Sequence, residues 1–363
     1  MIYRIVMDNY DIYGLEDDTK LISPKVSIEL NQAGSLTFSL PPTHFMYDKV
    51  KILQSDVEVY EDNELIWFGR VLSEEMAFNK TKTITCEGAM AFFNDSIQPV
   101  VSYENVTRKE FLTGLIYQHN RQVTVNRTFH VGEVDLSDDV KIYENTEYEK
   151  TIDVINQRCL DTEGGYFFFR KEPDGIYIDW LEDMPKRSSQ FIQFGLNLTE
   201  LKTKTDGAKI FTSVIPLGKE DESTGHRVNI SSVTAGGEIY IDMEQDIGED
   251  VSPVEKYGRI LKVLEFDALT SPSEIMAAGQ RWLRKQRREK TYDPFTIECG
   301  AAELSYIDPA YKAFKVGQIV PVVSEPHGID MDLPLPKMEI DMSSAVKKIT
   351  VGTTDNDDLS DMY

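Results

Sequence analysis

Cysteine and histidine are scarce in this chain, which has three cysteines and five histidines among 363 residues. Cys86, Cys159 and Cys299 lie far apart and form no CxxC pair, and the histidines form no HxxxH or HExxH spacing. The odd, sparse cysteine count excludes a disulfide framework, and the missing ligand spacings argue against a zinc site. We therefore predict three buried free thiols, no metal site and no cofactor.

Basic residues and long apolar runs are also in short supply. The chain has 38 Lys and Arg against 62 Asp and Glu, a net charge of −24. A surface of that sign repels phosphates, which argues against nucleic-acid binding and anionic membranes. No stretch approaches about eighteen uninterrupted apolar residues, and the N-terminus lacks a signal peptide's pattern. We predict a protein made in the cytoplasm without stable membrane insertion, whose acidity serves either solubility or the passage of DNA without sticking.

The short motifs of common enzyme chemistry are missing as well. The sequence has no GxGxxG after a strand, no GxxxxGK[ST], no GxSxG and no DxDxDG loop. Two Cys-His-Asp sets can be drawn, namely Cys86 with His44 and Asp48, and Cys299 with His327 and Asp330. A thiolate nucleophile must be partly exposed beside its imidazole, whereas Cys86 alternates within a strand pattern. We therefore predict no catalytic, cofactor-binding or metal-binding residues.

What the first quarter of the chain does contain is the period-two pattern of β-strands. Leu36, Phe38 and Leu40 alternate with polar residues, after a hairpin loop NQAG (residues 31–34) whose glycine suits a positive φ. Short antiparallel strands at regular spacing indicate a barrel or sandwich. We predict a first β-barrel domain over residues 1–97.

The next segment, residues 98–190, combines helical spacing with a hairpin. Capping-box patterns at residues 107–110 (TRKE) and 146–149 (TEYE) each precede apolar residues at helical spacing. The second run stops at the glycines 164–165, and PDG at 173–175 marks a turn between two strands. These signals predict a small α+β domain of two helices and a hairpin.

Strand patterns return after residue 190 and flank a polar region. We predict a second β-barrel domain from residues 191–218 and 292–363, interrupted by a polar insertion with one helix at residues 219–291. The acidic residues that follow the last strand are expected to be loose.

The helix of the insertion starts at SPSE (residues 271–274) and has Ile275, Ala278 and Trp282 as its buried stripe. Cations crowd its end: Arg281, Arg284, Lys285, Arg287, Arg288 and Lys290. Two interpretations stay open. The cations either complement the helix dipole and acidic neighbours, or form a docking patch for an acidic partner subunit.

The segment LNQAGSLTFSLPPTHFMYD (residues 30–48) joins a strand to a rigid aromatic stretch. The two prolines at 41–42 fix φ twice and end the strand at Leu40. His44 and the aromatic residues around it are then expected to fold back as a lid over an open barrel end. This interpretation makes the segment a structural corner and not an active site.

Four segments occur in a recognisable order along most of the chain. They are SIELNQAGSLTFSLPPTHFMYDKV, ELIWFGRVLSEEMAFNKTKTITCEGAMAFFNDS, YEKTIDVINQRCLDTEGGYFFFR and DLPLPKMEIDMSSAVKKITVG. In combination they resemble phage tail-tip or baseplate hub proteins, the family often labelled tail-associated lysin or prophage tail endopeptidase. The resemblance implies an α+β, mainly β fold with two tail-tube-like antiparallel β-barrels and peripheral α+β domains.

The resemblance also implies a function. A homotrimeric ring of six barrels would close the tail tube and adapt the sixfold tube to the threefold tip, and DNA would pass through its channel without specific binding. The implied partners are a distal tail protein, a tape measure protein and tip or fibre proteins, and the implied location is the tail tip of the virion. No motif supports the endopeptidase label, so no catalytic residue is carried over.

Two alternatives stay open. The first is a cell-wall-degrading tail enzyme, a peptidoglycan hydrolase or endopeptidase, that uses a carboxylate pair or a Cys-His set in the middle domain. The second is a carbohydrate-binding tail accessory protein.

Overall fold

The computed structural model describes residues 3–135, 141–184, 186–221, 224–245, 251–267, 269–289, 292, 295–344 and 346–352. The predictions made for Lys290 and for the acidic residues 353–363 lie outside these residues. Strands make up 43% of the structure and helices 20%, so the mainly β, α+β class is confirmed.

The strands of the first half are β1 Tyr3–Met7, β2 Tyr10–Asp11, β3 Ile22–Glu29, β4 Ser35–Leu40, β5 Asp56–Glu61, β6 Glu64–Met76, β7 Lys82–Gly88, β8 Ile97–Gln98, β9 Val101–Val106, β10 Phe129–Val134, β11 Ile142–Thr146, β12 Glu149–Lys150, β13 Tyr166–Glu172 and β14 Gly175–Leu181. Those of the second half are β15 Lys186–Arg187, β16 Ile192–Gln193, β17 Leu198–Thr205, β18 Ser213–Leu217, β19 Glu220–Asp221, β20 His226–Arg227, β21 Ile241–Asp242, β22 Leu261–Glu265, β23 Phe295–Ala302, β24 Gln318–Ser324, β25 Ile329–Leu335, β26 Lys337–Asp341 and β27 Val346–Gly352. The α-helices are α1 Arg108–Asn120, α2 Thr151–Val154, α3 Pro253–Tyr257 and α4 Pro272–Glu289, and a π-helix spans Ile155–Glu163.

One antiparallel sheet of eleven strands organises the molecule. Its spatial order is β17-β23-β27-β26-β3-β4-β7-β6-β5-β1-β2, and it curls into a half-barrel. Strand β26 is the joint, because Met338 pairs with Ile28 of β3 on one side and with Ile349 of β27 on the other. Strands assigned to the first and to the second predicted barrel are therefore continuous in one sheet.

The apolar residues of the period-two pattern lie on the buried face of this sheet. Leu36, Phe38 and Leu40 are buried as predicted, and the loop glycine Gly34 has a φ of +63°. The main hydrophobic core contains side chains from both halves, for example Phe38 and Ile349. A single core thus lies behind the joined strands, and its burial is the chief stabilising contribution.

Three smaller sheets are described in the second half, one of which is the two-stranded pair β19-β20. In the first, β15 and β16 pair parallel to β24, and β25 pairs antiparallel to it. In the second, β18 lies between β21 and β22. Strand β18 was grouped by sequence with the second barrel, but its partners come from the polar insertion. The pattern predicted antiparallel pairing only, whereas β18 and β22 run parallel.

The two capping-box predictions for the middle domain have opposite outcomes. At α1 the Thr107 hydroxyl accepts from Glu110 N, and the Glu110 carboxylate accepts from Thr107 N, which confirms the first box. The second box is wrong: Thr146 ends β11, its hydroxyl donates to Pro99 O, and α2 begins only at Thr151. Pairing of β11 with β9 satisfies the Thr146 backbone in a way that a helix start would not.

The helix after β12 changes hydrogen-bond pattern soon after it begins. It continues as the nine-residue π-helix and ends at Gly164, which has a φ of +79°. The predicted stop at the glycine pair is therefore confirmed, and Ile155 and Cys159 are buried as the spacing indicated. π-Helices are rare, occur mostly as single-turn bulges inside α-helices and are frequent at functional sites. The segment is therefore a candidate part of a functional site.

Helix α4 packs on the sheet formed by β18, β21 and β22. It begins at Pro272, as predicted, and buries Ile275, Ala278 and Trp282. Trp282, Leu283, Val214 and Phe211 contribute to a separate small core beneath it. The polar face of α4 is left to meet the π-helix of the middle domain.

Candidate functional site

The corner after β4 is structural, as the sequence indicated. His44 is buried, and both of its ring nitrogens are bonded to backbone: Nε2 donates to Ile12 O at 3.0 Å, and Nδ1 accepts from Met46 N at 3.1 Å. Burial lowers the pKa of His44, which keeps the ring neutral in this tautomer. Phe45 stacks on His44 with ring centroids 5.1 Å apart and packs against the main core. A histidine used in this way has no free nitrogen for catalysis.

The two Cys-His-Asp sets are not assembled. Cys86 is 1% exposed and burial raises the pKa of its thiol, while Asp48 lies exposed at the surface. In the second set, burial raises the pKa of Cys299 to about 12. The Nδ1 atom of His327 lies 2.6 Å from Ser324 Oγ instead of meeting that thiol. A thiolate nucleophile needs a lowered pKa and access to substrate, and neither cysteine has them.

The described residues form neither a group of metal ligands nor a helix that could span a membrane. Among them, no group of three or more His, Cys, Asp or Glu side chains is arranged to hold a metal ion. None of the described helices combines the length and the apolar character needed to cross a membrane.

The most deeply buried charges connect β27 with β5, two strands that are not neighbours in the large sheet. Lys347 Nζ lies 2.8 Å from Glu61 Oε1 and 2.7 Å from Glu303 Oε1, and all three side chains are less than 5% exposed. Tyr3 Oη donates to Glu61, and Gln190 Nε2 donates to Glu303. Two carboxylates thus share one ammonium group in the core. This cluster is enclosed in the core and has no access to a ligand.

Sequence reasoning missed this cluster although its signal was present. Glu61 follows Val57 and Val59 at period two in β5, and Lys347 precedes Ile349 at period two in β27. Alternation places each charge on the buried face of its strand. A charge at an inward position requires a buried counter-charge, so the pattern predicts a partner but not its identity.

An open cleft of about 1060 Å³ lies between the middle domain and α4. One wall consists of β11, the start of α1 and the π-helix, and the other of α4 and the end of β22. On the first wall, Arg158 contacts Glu144 at 3.2 Å and Glu149 at 2.8 Å, and Arg108 contacts Glu163 at 2.6 Å. That wall is acidic overall but internally paired.

The basic cluster of α4 supplies the other wall and divides into two groups. Arg287 pairs with Glu244 at 3.0 Å, and Lys285 donates to Leu160 O, which agrees with the interpretation that the cations meet neighbouring acceptors. Arg281 and Arg284 differ: within the described parts of the chain, neither guanidinium has a hydrogen bond or an ion pair. Both line the cleft.

Comparison with known proteins was made at the level of sequence and of structure. No protein-family model and no curated protein matches the sequence. A 43 kDa tail protein of prophage MuSo2 from Shewanella oneidensis superimposes with a TM-score of 0.61 and 14% identity, over 97% of this chain and 98% of that one. Prophage tail protein gp18 from Listeria monocytogenes EGD-e gives 0.60 and 18%, over 97% and 94% of the two chains. A tail protein from Neisseria meningitidis MC58 gives 0.62 and 12%, over 96% of each.

The chain has the fold of phage tail proteins. The resemblance noted in the sequence is confirmed at this level, since the similarity extends through the large sheet, the middle domain and α4 alike. At identities of 12–18% the similarity establishes the fold alone. The roles of individual side chains in this chain follow from its own geometry.

Proposed function

We propose that the chain is a structural subunit of a phage or prophage tail, a hub that closes the tail tube as a ring of three copies. The observation that carries the proposal is mutual coverage. Three tail proteins align over 94–98% of their own length and over 96–97% of this chain. A similarity confined to one module would leave large parts of either chain unmatched.

The open edges of the eleven-stranded sheet support a ring. Strand β17 lies at one edge and β2 at the other, and no described strand pairs with their outer sides. Unpaired edges favour association with further strands, and a closed ring of identical copies covers them. Three copies, each with the strands of both predicted barrels joined in one sheet, would adapt a sixfold tube to a threefold tip.

The same proposal gives the acidity a role. Acidic side chains along the channel of the ring would keep DNA centred, because the duplex carries one negative charge per ~1.7 Å of its axis. The partners we expect are a distal tail protein, a tape measure protein and tip or fibre proteins. The chain would be made in the host cytoplasm and act at the tail tip of the virion, without catalysis.

The decisive experiment is made in the phage or lysogen that encodes the chain. An in-frame deletion is expected to abolish infectious tails, and complementation with the intact gene to restore them. Image reconstruction of the complemented particles should locate three copies at the tail tip. One or six copies, or normal tails without the gene, would contradict the proposal.

The role of the acidity is tested separately in the same system. Once the channel-lining residues are known from the assembled ring, several of the acids are changed to lysine. Slow or stalled genome ejection from normally assembled particles is the expected result. Normal ejection would assign the net charge to solubility alone.

A further inference from the structure

The cleft between the middle domain and α4 contains charges whose interactions are incomplete. Arg281 is half-buried, and burial lowers the pKa of its guanidinium. The charge of Glu163 opposes this shift, while the charges of Arg108 and Arg284 add to it. Like charges held close together in a partly desolvated site destabilise one another. An anionic group placed between them would relieve this repulsion.

Five carboxylates that line the cleft already pair with an arginine other than Arg281 and Arg284. Glu163 is paired with Arg108, and Arg158 contacts both Glu144 and Glu149. On the α4 side, Glu265 and Asp267 lie 3.1 and 2.6 Å from Arg227. None of these contacts involves Arg281 or Arg284, which leaves two guanidinium groups available for an incoming acceptor.

The spacing of these two arginines suits such an acceptor. Residues three apart on an α-helix lie on one face with Cβ atoms about 5–6 Å apart, so Arg281 and Arg284 point the same way. Guanidinium groups bind carboxylate or phosphate oxygens through pairs of hydrogen bonds. Tyr143, which is 45% exposed, adds aromatic surface to the same cleft.

The opposite wall distinguishes between anionic ligands. Glu144, Glu147 and Glu149 line it, so a uniformly charged polymer such as a nucleic acid would gain contacts on one side and be repelled on the other. The net charge of −24 adds to that repulsion. A polypeptide segment can place carboxylates on the arginine side only and present apolar or cationic groups to the rest of the cleft.

We propose that this cleft is a docking site for an acidic segment of a partner protein, whose paired carboxylates bind Arg281 and Arg284 and whose neighbouring apolar side chain contacts Tyr143. The inference rests on the proposed function in one respect only: the partner is expected to be another protein of the tail. The binding itself is a property of the isolated chain.

The test uses the purified full-length chain and a fluorescein-labelled peptide with two adjacent aspartates flanked by leucine and tyrosine. Fluorescence anisotropy at low ionic strength should show binding, and Arg284→Glu should weaken it by about tenfold or more, since hydrogen bonds to charged groups contribute about 1.5–3 kcal/mol. Arg284 is exposed, so its replacement leaves the core intact. The double variant Arg281→Glu/Arg284→Glu should abolish binding.

The matched control is Arg121→Glu, which makes the same charge change at the exposed end of α1, away from the cleft, and should bind normally. A peptide with asparagines in place of the aspartates should bind at least about tenfold more weakly. Equal binding of the two peptides, or an equal loss in Arg121→Glu, would overturn the proposal. Tighter binding of an oligothymidylate of the same charge would replace it with a nucleic-acid site. If the peptide does not bind while deletion of the gene abolishes tails, the docking site is wrong and the structural role stands.

Discussion

Lys347 of β27 binds Glu61 of β5, a strand that is not its neighbour in the large sheet, with Nζ 2.8 Å from Oε1 and both side chains almost completely buried. The two residues are 286 positions apart, near opposite ends of the chain. Because the ammonium also contacts Glu303, the buried cluster carries two carboxylates for one cation. Lys347 and Glu61 lie on strands from the two halves of the chain, so the contact between these halves depends on a charged cluster as well as on apolar packing.

Replacement of Lys347 by methionine should destabilise the fold strongly. The change leaves Glu61 and Glu303 buried without their cation, and breaking a buried pair in this way costs roughly 3–5 kcal/mol. Urea unfolding gives the free energy of unfolding. The control is Lys348→Met. Lys348 is 61% exposed and forms a surface ion pair with Glu339 at 3.5 Å, and such surface pairs contribute about 0–1 kcal/mol to stability. Equal losses in the two variants would contradict a special role for the cluster.

The free energy of unfolding should also depend on pH through Glu61. Burial, with the charge of Glu303, raises the pKa of Glu61 in spite of Lys347. A group with a raised folded-state pKa contributes stability that is present below its unfolded pKa of about 4.3 and is lost as the pH rises through the folded value. Glu61→Gln removes this dependence. The free energy of unfolding of the wild type minus that of the variant should therefore fall as pH increases above about 4.3.

Urea titrations of both proteins across that pH range provide the measurement. A difference that stays constant, or that grows with pH, would show that Glu61 is not the group responsible. Glu339→Gln, on an exposed residue of β26, should leave the pH profile unchanged.

The strands of the large sheet could be predicted from the sequence because each has a local signal. Leu36, Phe38 and Leu40 show the alternation that burial on one face requires, and the glycine of the preceding loop takes the expected positive φ. The helix stop at Gly164 was equally local. In each case the residues that determine the structure are neighbours in the sequence.

The remaining features depend on residues far apart in the sequence. The strand pattern after residue 190 predicted β16, but it did not predict that Ile192 pairs in parallel with Val322. The sequence around Thr146 matched a helix cap, but in the structure Thr146 belongs to β11 and pairs with β9. The cleft beside α4 is formed by a helix, a π-helix and a strand from separate segments of the chain. The basic residues of α4 could be recognised in the sequence because they are neighbours there, whereas the acidic wall opposite them could not be predicted.

Asn31 is another residue whose role extends beyond its local turn. Its side chain donates to Gly165 O at 3.1 Å and accepts from Phe167 N at 2.8 Å, so it links the first hairpin to the middle domain. Its φ of +60° is one that asparagine and glycine tolerate. We expect Asn31→Gly to lose about 1–3 kcal/mol through the buried hydrogen bonds alone.

Asn31→Ala should be less stable than Asn31→Gly by about a further 1 kcal/mol, because alanine also strains the left-handed backbone. Hydrogen exchange should show faster exchange at the Phe167 amide in both variants. If alanine were tolerated better than glycine, backbone strain at this position would be refuted.

The three cysteines provide a test that separates a structural subunit from a thiol enzyme. Cys86, Cys159 and Cys299 are free and buried, and burial raises the pKa of each thiol. Because the thiolate is the reactive form, iodoacetamide at neutral pH should leave all three unmodified in the native protein and modify all three in denaturant. Mass spectrometry of the intact chain counts the added groups. Rapid modification of Cys86 in the native state would place a reactive thiol in the large sheet and favour the enzyme alternative, whereas modification that appears only with unfolding ties each cysteine to the core.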